Sequence, residues 1–87
     1  MDVEYDPDKD AANLDKHGVS LALGVIVLEN CIGAVVDDRR DYGEIRINAF
    51  GPVNNRLFVC TYTMRGETHR LISVRKASRQ EQNTWLR

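Results

Sequence analysis

The second half of the chain contains four strand-like segments, and this pattern limits the possible fold more than any other feature. The segments are CIGAVV, EIRINAF, RLFVCTYT and THRLISVRK, and they are rich in the β-branched and aromatic residues that favour strands. A polar turn at residues 37–43 and turn segments at 51–55 and 64–67 separate them. The sequence therefore predicts a meander of four antiparallel strands, with a tight hairpin turn at Arg65-Gly66.

A first helix is predicted directly after a possible short strand, VEY. Asp6 is a suitable N-cap and Pro7 occupies the first helical position, where its missing N–H is not needed. The helix should run to about Lys16 and end at Gly18, which can adopt a left-handed backbone.

Two further helices are predicted on either side of the strands. Ser20 is a possible N-cap for a helix that reaches Glu29, although the segment GVIVL within it is also strand-like. The segment SRQE is a capping box, in which Ser78 and Glu81 exchange hydrogen bonds with each other's backbone amides. It predicts a final helix from Arg79 onward.

The order β, α, α, β, β, β, β, α indicates an α+β fold in which the helices cover one face of the sheet and leave the other at least partly open. We expect a single domain over residues 1–87, because a chain of this length forms only one core. Its 43% hydrophobic and 29% charged residues are typical of a globular protein. We expect Cys31 and Cys60 to be reduced core thiols, with a disulfide as the alternative. We also expect no membrane span, no export signal and a cytoplasmic location.

The charges divide the chain into two halves. Residues 1–41 hold ten acids and four bases, a net of −6, whereas residues 42–87 hold three acids and eight bases, a net of +5. This asymmetry suggests that the second half meets a polyanion. The alternative is that the two halves simply compensate each other within the molecule.

Cations are frequent in THRLISVRK for a β-strand. Because side chains alternate between the faces of a strand, we expect Arg70 and Lys76 on one face and Arg75 on the other. One interpretation is that these residues lie at strand ends with their charges in solvent. The other is a phosphate site, because the arginine guanidinium group matches phosphate oxygens.

Glu44, Arg46 and His17 extend this candidate site. A carboxylate such as Glu44 or an imidazole such as His17 can move protons, and arginines can stabilise the added charge of a transition state. RNA carries its own nucleophile, so its cleavage needs only a base, an acid and a cationic clamp. The sequence contains no metal motif, since His17 and His69 form neither HxxxH nor HExxH, and it contains no nucleotide-cofactor motif.

Each of these residues also has a purely structural interpretation. Glu44 and Arg46 can form an exposed ion pair, worth at most about 1 kcal/mol. His17 can complement the dipole at the end of the first helix, which is worth about 0.3–1 kcal/mol. Trp85 and Tyr62 can stack on bases, but aromatic residues in so small a domain are more often part of the core.

The segment DPDKDAANLDKHGVS resembles the N-terminal signature of the BrnT-type toxins, D-P-x-K-x-x-x-N-x-x-K-H-G-V-S. The matching residues are Asp6, Pro7, Lys9, Asn13, Lys16, His17, Gly18, Val19 and Ser20. GEIR, YTMRG and RLISVRKASRQE are similar to later motifs of that family and follow in the same order. The resemblance covers nearly the whole chain.

This resemblance implies a RelE-like fold, with two N-terminal helices and one C-terminal helix packed on a twisted antiparallel sheet of about four strands. It implies a metal-independent, cofactor-free ribonuclease that cleaves mRNA and inhibits translation. A co-encoded ribbon-helix-helix antitoxin is expected to neutralise it in a hetero-oligomer, and DNA is expected to be contacted only through that antitoxin. The alternative is a non-catalytic module that binds the antitoxin and contributes to autoregulation of the operon.

The resemblance also selects candidate site residues. For catalysis they are His17, Glu44, Arg46, Arg70 and Arg75, with the arginines on phosphate and His17 or Glu44 moving protons. For RNA binding they are Lys16, Arg65 and Lys76.

Overall fold

The computed structural model, which describes residues 1–86, contains one five-stranded sheet and three helices. Along the chain the elements are β1 (Asp2–Glu4), α1 (Pro7–His17), α2 (Leu23–Glu29), β2 (Gly33–Val36), β3 (Ile47–Val53), β4 (Arg56–Arg65), β5 (Thr68–Lys76) and α3 (Arg79–Trp85). The predicted α+β class and element order are confirmed. No helix among residues 1–86 has the length and apolar character needed to cross a membrane.

The strands lie in the order β1-β5-β4-β3-β2. The four strands β2 to β5 form the predicted antiparallel meander, and β1 pairs in parallel with β5. The sheet therefore has five strands rather than the predicted four, and it is mixed rather than purely antiparallel. The difference is β1, which pairs with β5 at the edge of the sheet.

Helix α1 begins and ends as predicted. Asp6 Oδ1 accepts a hydrogen bond of 2.8 Å from the amide of Asp8, which satisfies one of the unpaired donors of the first turn. At the other end Gly18 has φ 76°, and its N–H donates to the carbonyl oxygen of Leu14 at 2.9 Å.

A buried asparagine fixes α1 to β5. Asn13 Nδ2 donates to the carbonyl oxygens of Val19 at 2.9 Å and Val74 at 2.8 Å, and its Oδ1 accepts from Val74 N at 3.1 Å. The amide side chain thus occupies the place of a neighbouring strand beside Val74. Because these groups lie in or near the core and are all paired, loss of the hydrogen bonds of Asn13 would leave unsatisfied polar atoms there.

Helix α2 is a helix, as predicted, but Ser20 is not its N-cap. The cap position is Ala22, which makes no side-chain capping bond. Ser20 Oγ instead donates to Asp10 Oδ1 at 2.8 Å and accepts from Ala22 N at 3.1 Å. The nearby carboxylate of Asp10 therefore competes successfully for the hydroxyl group.

The helices lie on both faces of the sheet, so the prediction that they cover one face is wrong. Helices α1 and α2 pack over a core cluster on what we call the α1–α2 face, which includes Cys60, Leu71 and Val74. Helix α3 packs on the opposite face, the α3 face, where the ring of Trp85 stacks on Phe50 with centroids 4.8 Å apart. The short α3 covers only one end of its face.

Two strand boundaries differ from the prediction. Segment 44–46 was predicted as strand, but β3 begins at Ile47 and continues to Val53. The turn that follows consists of Asn54 and Asn55 alone, both with positive φ (49° and 64°), as a two-residue hairpin turn requires. At the next hairpin β4 includes Arg65, and the turn lies one residue later than predicted, at residues 66–67.

The two cysteines are both free, and only one of them lies in the core. Cys60 is fully buried, and burial raises the pKa of its thiol to about 12. Cys31 is exposed, so its prediction as a core thiol is wrong. It precedes β2 at the edge of the sheet, where no element covers it.

Candidate functional site

A β-bulge in β5 determines where the cationic side chains point. Thr61 of β4 pairs with Ser73, but the next residue, Tyr62, pairs with Leu71, so Ile72 has no partner. An extra residue of this kind interrupts the regular alternation of side chains along a strand.

The bulge brings Arg70 and Arg75 to the same face of the sheet. Arg75 lies opposite Val59 and Arg70 lies opposite Thr63, and directly paired residues point to the same side. Because Val59 and Thr63 are four residues apart on one strand, they share a face. Both arginines therefore lie on the α3 face, and the prediction that they point to opposite faces is wrong.

The surface between the two arginines is polar. Ser73 and Thr61 are paired there, and Thr61 Oγ1 donates to Asn48 Oδ1 at 2.6 Å. The backbone distance from Val59 to Thr63 is roughly 13 Å at the usual rise of a strand. Two long arginine side chains can therefore approach one group bound above this polar floor.

Arg75 is held by a carboxylate of α3. Its NH1 and NH2 donate to Glu81 Oε1 and Oε2 at 2.7 Å and 3.0 Å. These bonds lower the pKa of Glu81 to about 2, and the backbone amide of Ser78 contributes in the same direction. Glu81 is therefore ionised at neutral pH, and it sets the direction of the Arg75 guanidinium group. The predicted capping box of Ser78 and Glu81 is confirmed.

Arg70 makes a weaker ion pair at the sheet edge. Its NH1 lies 3.5 Å from Glu4 Oε2 on β1, which is longer than a charge-assisted hydrogen bond usually is. This contact joins the acidic and basic halves of the chain. Since the pair is loose and half-exposed, Arg70 can exchange Glu4 for another anion at low cost.

Arg46 and Glu44 form the ion pair that the structural interpretation of the sequence predicted. Arg46 Nε donates to Glu44 Oε2 at 3.0 Å, and both residues lie in the loop before β3 rather than in a strand. The guanidinium carbon of Arg46 also lies 4.1 Å from the centroid of the Tyr42 ring, a cation–π contact. Tyr42 thus orients Arg46, a role that sequence reasoning missed because no local motif links the two.

The loop between β2 and β3 is organised by a buried carboxylate, Asp37. Its oxygens accept from Arg39 Nε and NH2 at 2.8 Å and 2.9 Å and from the Tyr42 hydroxyl at 3.2 Å. The hydrogen bonds from Arg39 lower the pKa of Asp37 to about 2. The amide of Asp37 also donates to the carbonyl oxygen of Arg46 at 2.8 Å, which closes the loop. Sequence reasoning treated this segment only as a polar turn.

A cleft of about 240 Å³ separates α1 from the bulged part of β5. The residues that shape it include Lys9, Asn13, Lys16, His17, Ile72 and Ser73. Partial burial lowers the pKa of His17, and the positive charges of Lys16 and Arg75 lower it further. We refer to this space as the α1 cleft.

The remaining two candidate cations are separated from this centre. Lys76 pairs with Phe58, a core residue of the α1–α2 face, so Lys76 points away from Arg70 and Arg75. Arg65 pairs with Thr68 and shares the α3 face with Arg70, but it is exposed at the far end of its strand. Lys16 and His17 therefore lie together in the α1 cleft, Arg75 acts on His17 through its charge, and Arg70 shares the α3 face with Arg75. Lys76 lies outside this group.

Comparison with known proteins completes the description of the chain. Residues 5–81 match a family model described as the ribonuclease toxin BrnT of type II toxin–antitoxin systems. No curated protein sequence matches the chain. Within residues 1–86, no three His, Cys, Asp or Glu side chains are grouped as a metal site would require.

Proposed function

The chain belongs to the BrnT family of ribonuclease toxins of type II toxin–antitoxin systems, and from this membership we propose that it cleaves mRNA in the cytoplasm without a metal ion and thereby inhibits translation. The α3 face is the proposed binding surface for the scissile phosphate. Arg70 and Arg75 are its clamp, Arg46 supports them from the β2–β3 loop, and exposed Arg65 contacts RNA further along the face.

Neutral His17 is the proposed general base. Its lowered pKa keeps the imidazole unprotonated near pH 7, the form that can accept the proton of a ribose 2′-hydroxyl group. The 2′-oxygen then bonds to phosphorus, the bond from phosphorus to the 5′-oxygen breaks, and solvent protonates the leaving oxygen. Glu44, which is already bound to Arg46, is assigned to orient that guanidinium group.

One observation carries this proposal. The bulge at Ile72 puts Arg70 and Arg75 on one face of the sheet, and Ser73, which lies between them, also borders the cleft of His17. Two fixed guanidinium groups can stabilise the charge that develops on a phosphate in the transition state. The imidazole of His17, on which the charge of Arg75 acts, can remove the proton that starts the reaction.

The direct test is cleavage of single-stranded RNA by the purified chain in excess EDTA. We expect wild type to cleave, and we expect Arg70→Ala and Arg75→Ala to lose activity while keeping a cooperative unfolding transition. Arg56→Ala is the matched control, because Arg56 pairs with Val53 and lies on the α1–α2 face. Activity that disappears on chelation, or that survives both α3-face substitutions, would refute the proposal.

The partner that family membership implies is a co-encoded antitoxin. We propose that it is of the ribbon-helix-helix type, forms a hetero-oligomer with the chain and provides all contacts to operator DNA. Co-expression with the neighbouring reading frame tests this proposal. We expect a stable complex that binds operator DNA, and we expect that the free chain does not bind it.

A second candidate function is a non-catalytic module that only binds the antitoxin. The observation in its favour is that Arg46, Arg70 and Arg75 are each already paired with a carboxylate. Under this alternative, induced expression without the antitoxin would leave growth unchanged, and RNA would not bind. Growth arrest that Arg70→Ala abolishes would rule the alternative out.

A further inference from the structure

The α1 cleft differs from the α3 face in how its cations are balanced. Lys9 and Lys16 are exposed, and neither forms an ion pair with any residue that the structure describes. On the α3 face, by contrast, Arg70 and Arg75 each have a carboxylate partner. Among the described residues, Lys9 and Lys16 therefore lack the direct carboxylate contacts that Arg70 and Arg75 have.

The arrangement of α1 explains why these lysines stay unpaired in an acidic segment. Lys9 and Lys16 are seven residues apart and share the helix face that packs on β5 through buried Asn13. Among the nearby acids, Asp6 caps the helix, and Asp10 accepts bonds from Ser20 Oγ and Leu21 N. Among the described residues that line the cleft, none is acidic.

The cleft is continuous with the proposed clamp. Ser73 borders the cleft and pairs with Thr61, so it also belongs to the polar floor between Arg70 and Arg75. The charge of Arg75 acts on His17 inside the cleft. A chain of phosphates crossing this edge of β5 would meet the two sets of cations in succession.

We propose that the α1 cleft is a second phosphate subsite, in which Lys9 and Lys16 hold the RNA phosphate adjacent to the scissile one. The proposal rests on the proposed ribonuclease function, because it places the scissile phosphate on the α3 face. The cleft volume of about 240 Å³ is sufficient for one phosphate group with part of a sugar.

Occupancy of the cleft also affects the base. The charges that lower the pKa of His17 are those of Lys16 on α1 and Arg75 on β5, and Lys9 lines the same cleft. Lys16 and Arg75 disfavour the imidazolium form, and a phosphate bound in the cleft favours it. Bound RNA thus raises the pKa of His17 toward neutrality, where general bases are most effective.

The first experiment measures binding of 2′-O-methyl oligonucleotides, which lack the nucleophile and stay intact. A tetranucleotide has three phosphates and can occupy both subsites, whereas a dinucleotide has one. We expect Lys9→Ala or Lys16→Ala to reduce the slope of log K against log salt by about 0.7 for the tetranucleotide, the loss of one phosphate contact on a single strand. The dinucleotide slope should not change, and Arg56→Ala should change neither slope.

The second experiment follows the His17 imidazole by NMR during a pH titration, with and without the tetranucleotide. We expect its pKa to rise when the tetranucleotide is bound and to rise less in Lys9→Ala. Arg56→Ala, on the α1–α2 face, is the control and should show the same rise as wild type.

These results separate the subsite from the catalytic proposal. If Lys9→Ala and Lys16→Ala leave the salt slope and the His17 titration as in wild type, while Arg70→Ala still abolishes cleavage, the subsite is refuted and the ribonuclease proposal stands. If both lysine effects occur but the chain cleaves no RNA, the cleft binds phosphate and the ribonuclease proposal fails.

Discussion

Arg75 on β5 and Glu81 on α3 form a bidentate ion pair, with nitrogen–oxygen distances of 2.7 Å and 3.0 Å. The same carboxylate accepts a hydrogen bond of 2.8 Å from the amide of Ser78. Glu81 therefore caps the helix and at the same time binds Arg75. None of residues 79–85 is fully buried. The ion pair and the stacking of Trp85 on Phe50 are two of the contacts that attach α3 to the sheet.

The first prediction concerns acid. The pKa of Glu81 is lowered from 4.5 to about 2 in the folded chain, so the stabilisation is fully present above 4.5 and is lost as the pH falls from about 4.5 toward 2. We expect the fluorescence of Trp85, the single tryptophan, to report release of α3 in this window. In Glu81→Gln this step should be absent and the free energy of unfolding at pH 7 lower by about 1 kcal/mol. An identical acid transition in wild type and Glu81→Gln would disprove the assignment to Glu81. It would point instead to Asp37, whose pKa is also lowered to about 2 and which is present in both proteins.

The second prediction concerns Tyr42. Its ring holds Arg46 at 4.1 Å and its hydroxyl donates to Asp37. Tyr42→Ala removes both contacts and should lower kcat/KM by about two- to fivefold, since an exposed cation–π contact is worth about 0.5–1 kcal/mol. Tyr42→Phe keeps the ring and should retain most of the rate. Equal losses in the two variants would show that the hydroxyl group, not the ring, positions Arg46.

The third prediction is the pH dependence of cleavage. If His17 acts as a base, kcat/KM rises with pH as the imidazole loses its proton, with a midpoint below the ordinary value of 6.5. Lys16→Gln removes a positive charge near His17 and should move this midpoint upward. Arg56→Gln should leave it in place. A His17→Asn variant that keeps the same acidic limb would exclude His17 as the base.

The fourth prediction tests the packing of α3. A methyl group at Gly33 would overlap the benzo ring of Trp85, so Gly33→Ala should reduce the free energy of unfolding by about 1–3 kcal/mol. Adding Trp85→Phe removes the overlapping atoms and should restore part of the loss. Thermal unfolding followed by circular dichroism measures the stability of wild type, the two single variants and the double variant. If the losses of the two single variants simply add in the double variant, the contact between Gly33 and Trp85 is contradicted.

Local signals in the sequence predicted the parts of the fold that depend on neighbouring residues. Asp6 caps α1, Gly18 ends it, and Ser78 and Glu81 form a capping box, all through bonds within one helical turn. The two-residue turn at Asn54 also had a local signal, because paired asparagines tolerate positive φ. The predicted turn was longer, over residues 51–55, whereas β3 continues through Pro52 to Val53.

Features that depend on strand register could not be predicted. The bulge at Ile72 is defined only by which β4 residues lie opposite β5, and nothing in THRLISVRK marks it. The face assignments of Arg70 and Arg75 failed for that reason. The position of α3 on the face opposite to α1 and α2 could not be predicted either. It depends on the contact of Trp85 with Gly33, and these residues are far apart in sequence.

The alternation of polar and apolar residues begins at Glu44, before the observed start of β3 at Ile47. Residues 44–46 belong instead to the loop, in which the amide of Asp37 donates to the carbonyl oxygen of Arg46.

The central claim is that Arg70 and Arg75 act on the same phosphate, and a double-mutant cycle on metal-free RNA cleavage tests it most directly. We predict that Arg70→Ala and Arg75→Ala each lower kcat/KM by at least about 100-fold and that the double variant is scarcely worse than either, because groups that act as a unit are not additive. Trp85 emission would verify that α3 remains docked. Losses that multiply independently, or wild-type cleavage by either single variant, would contradict the shared site.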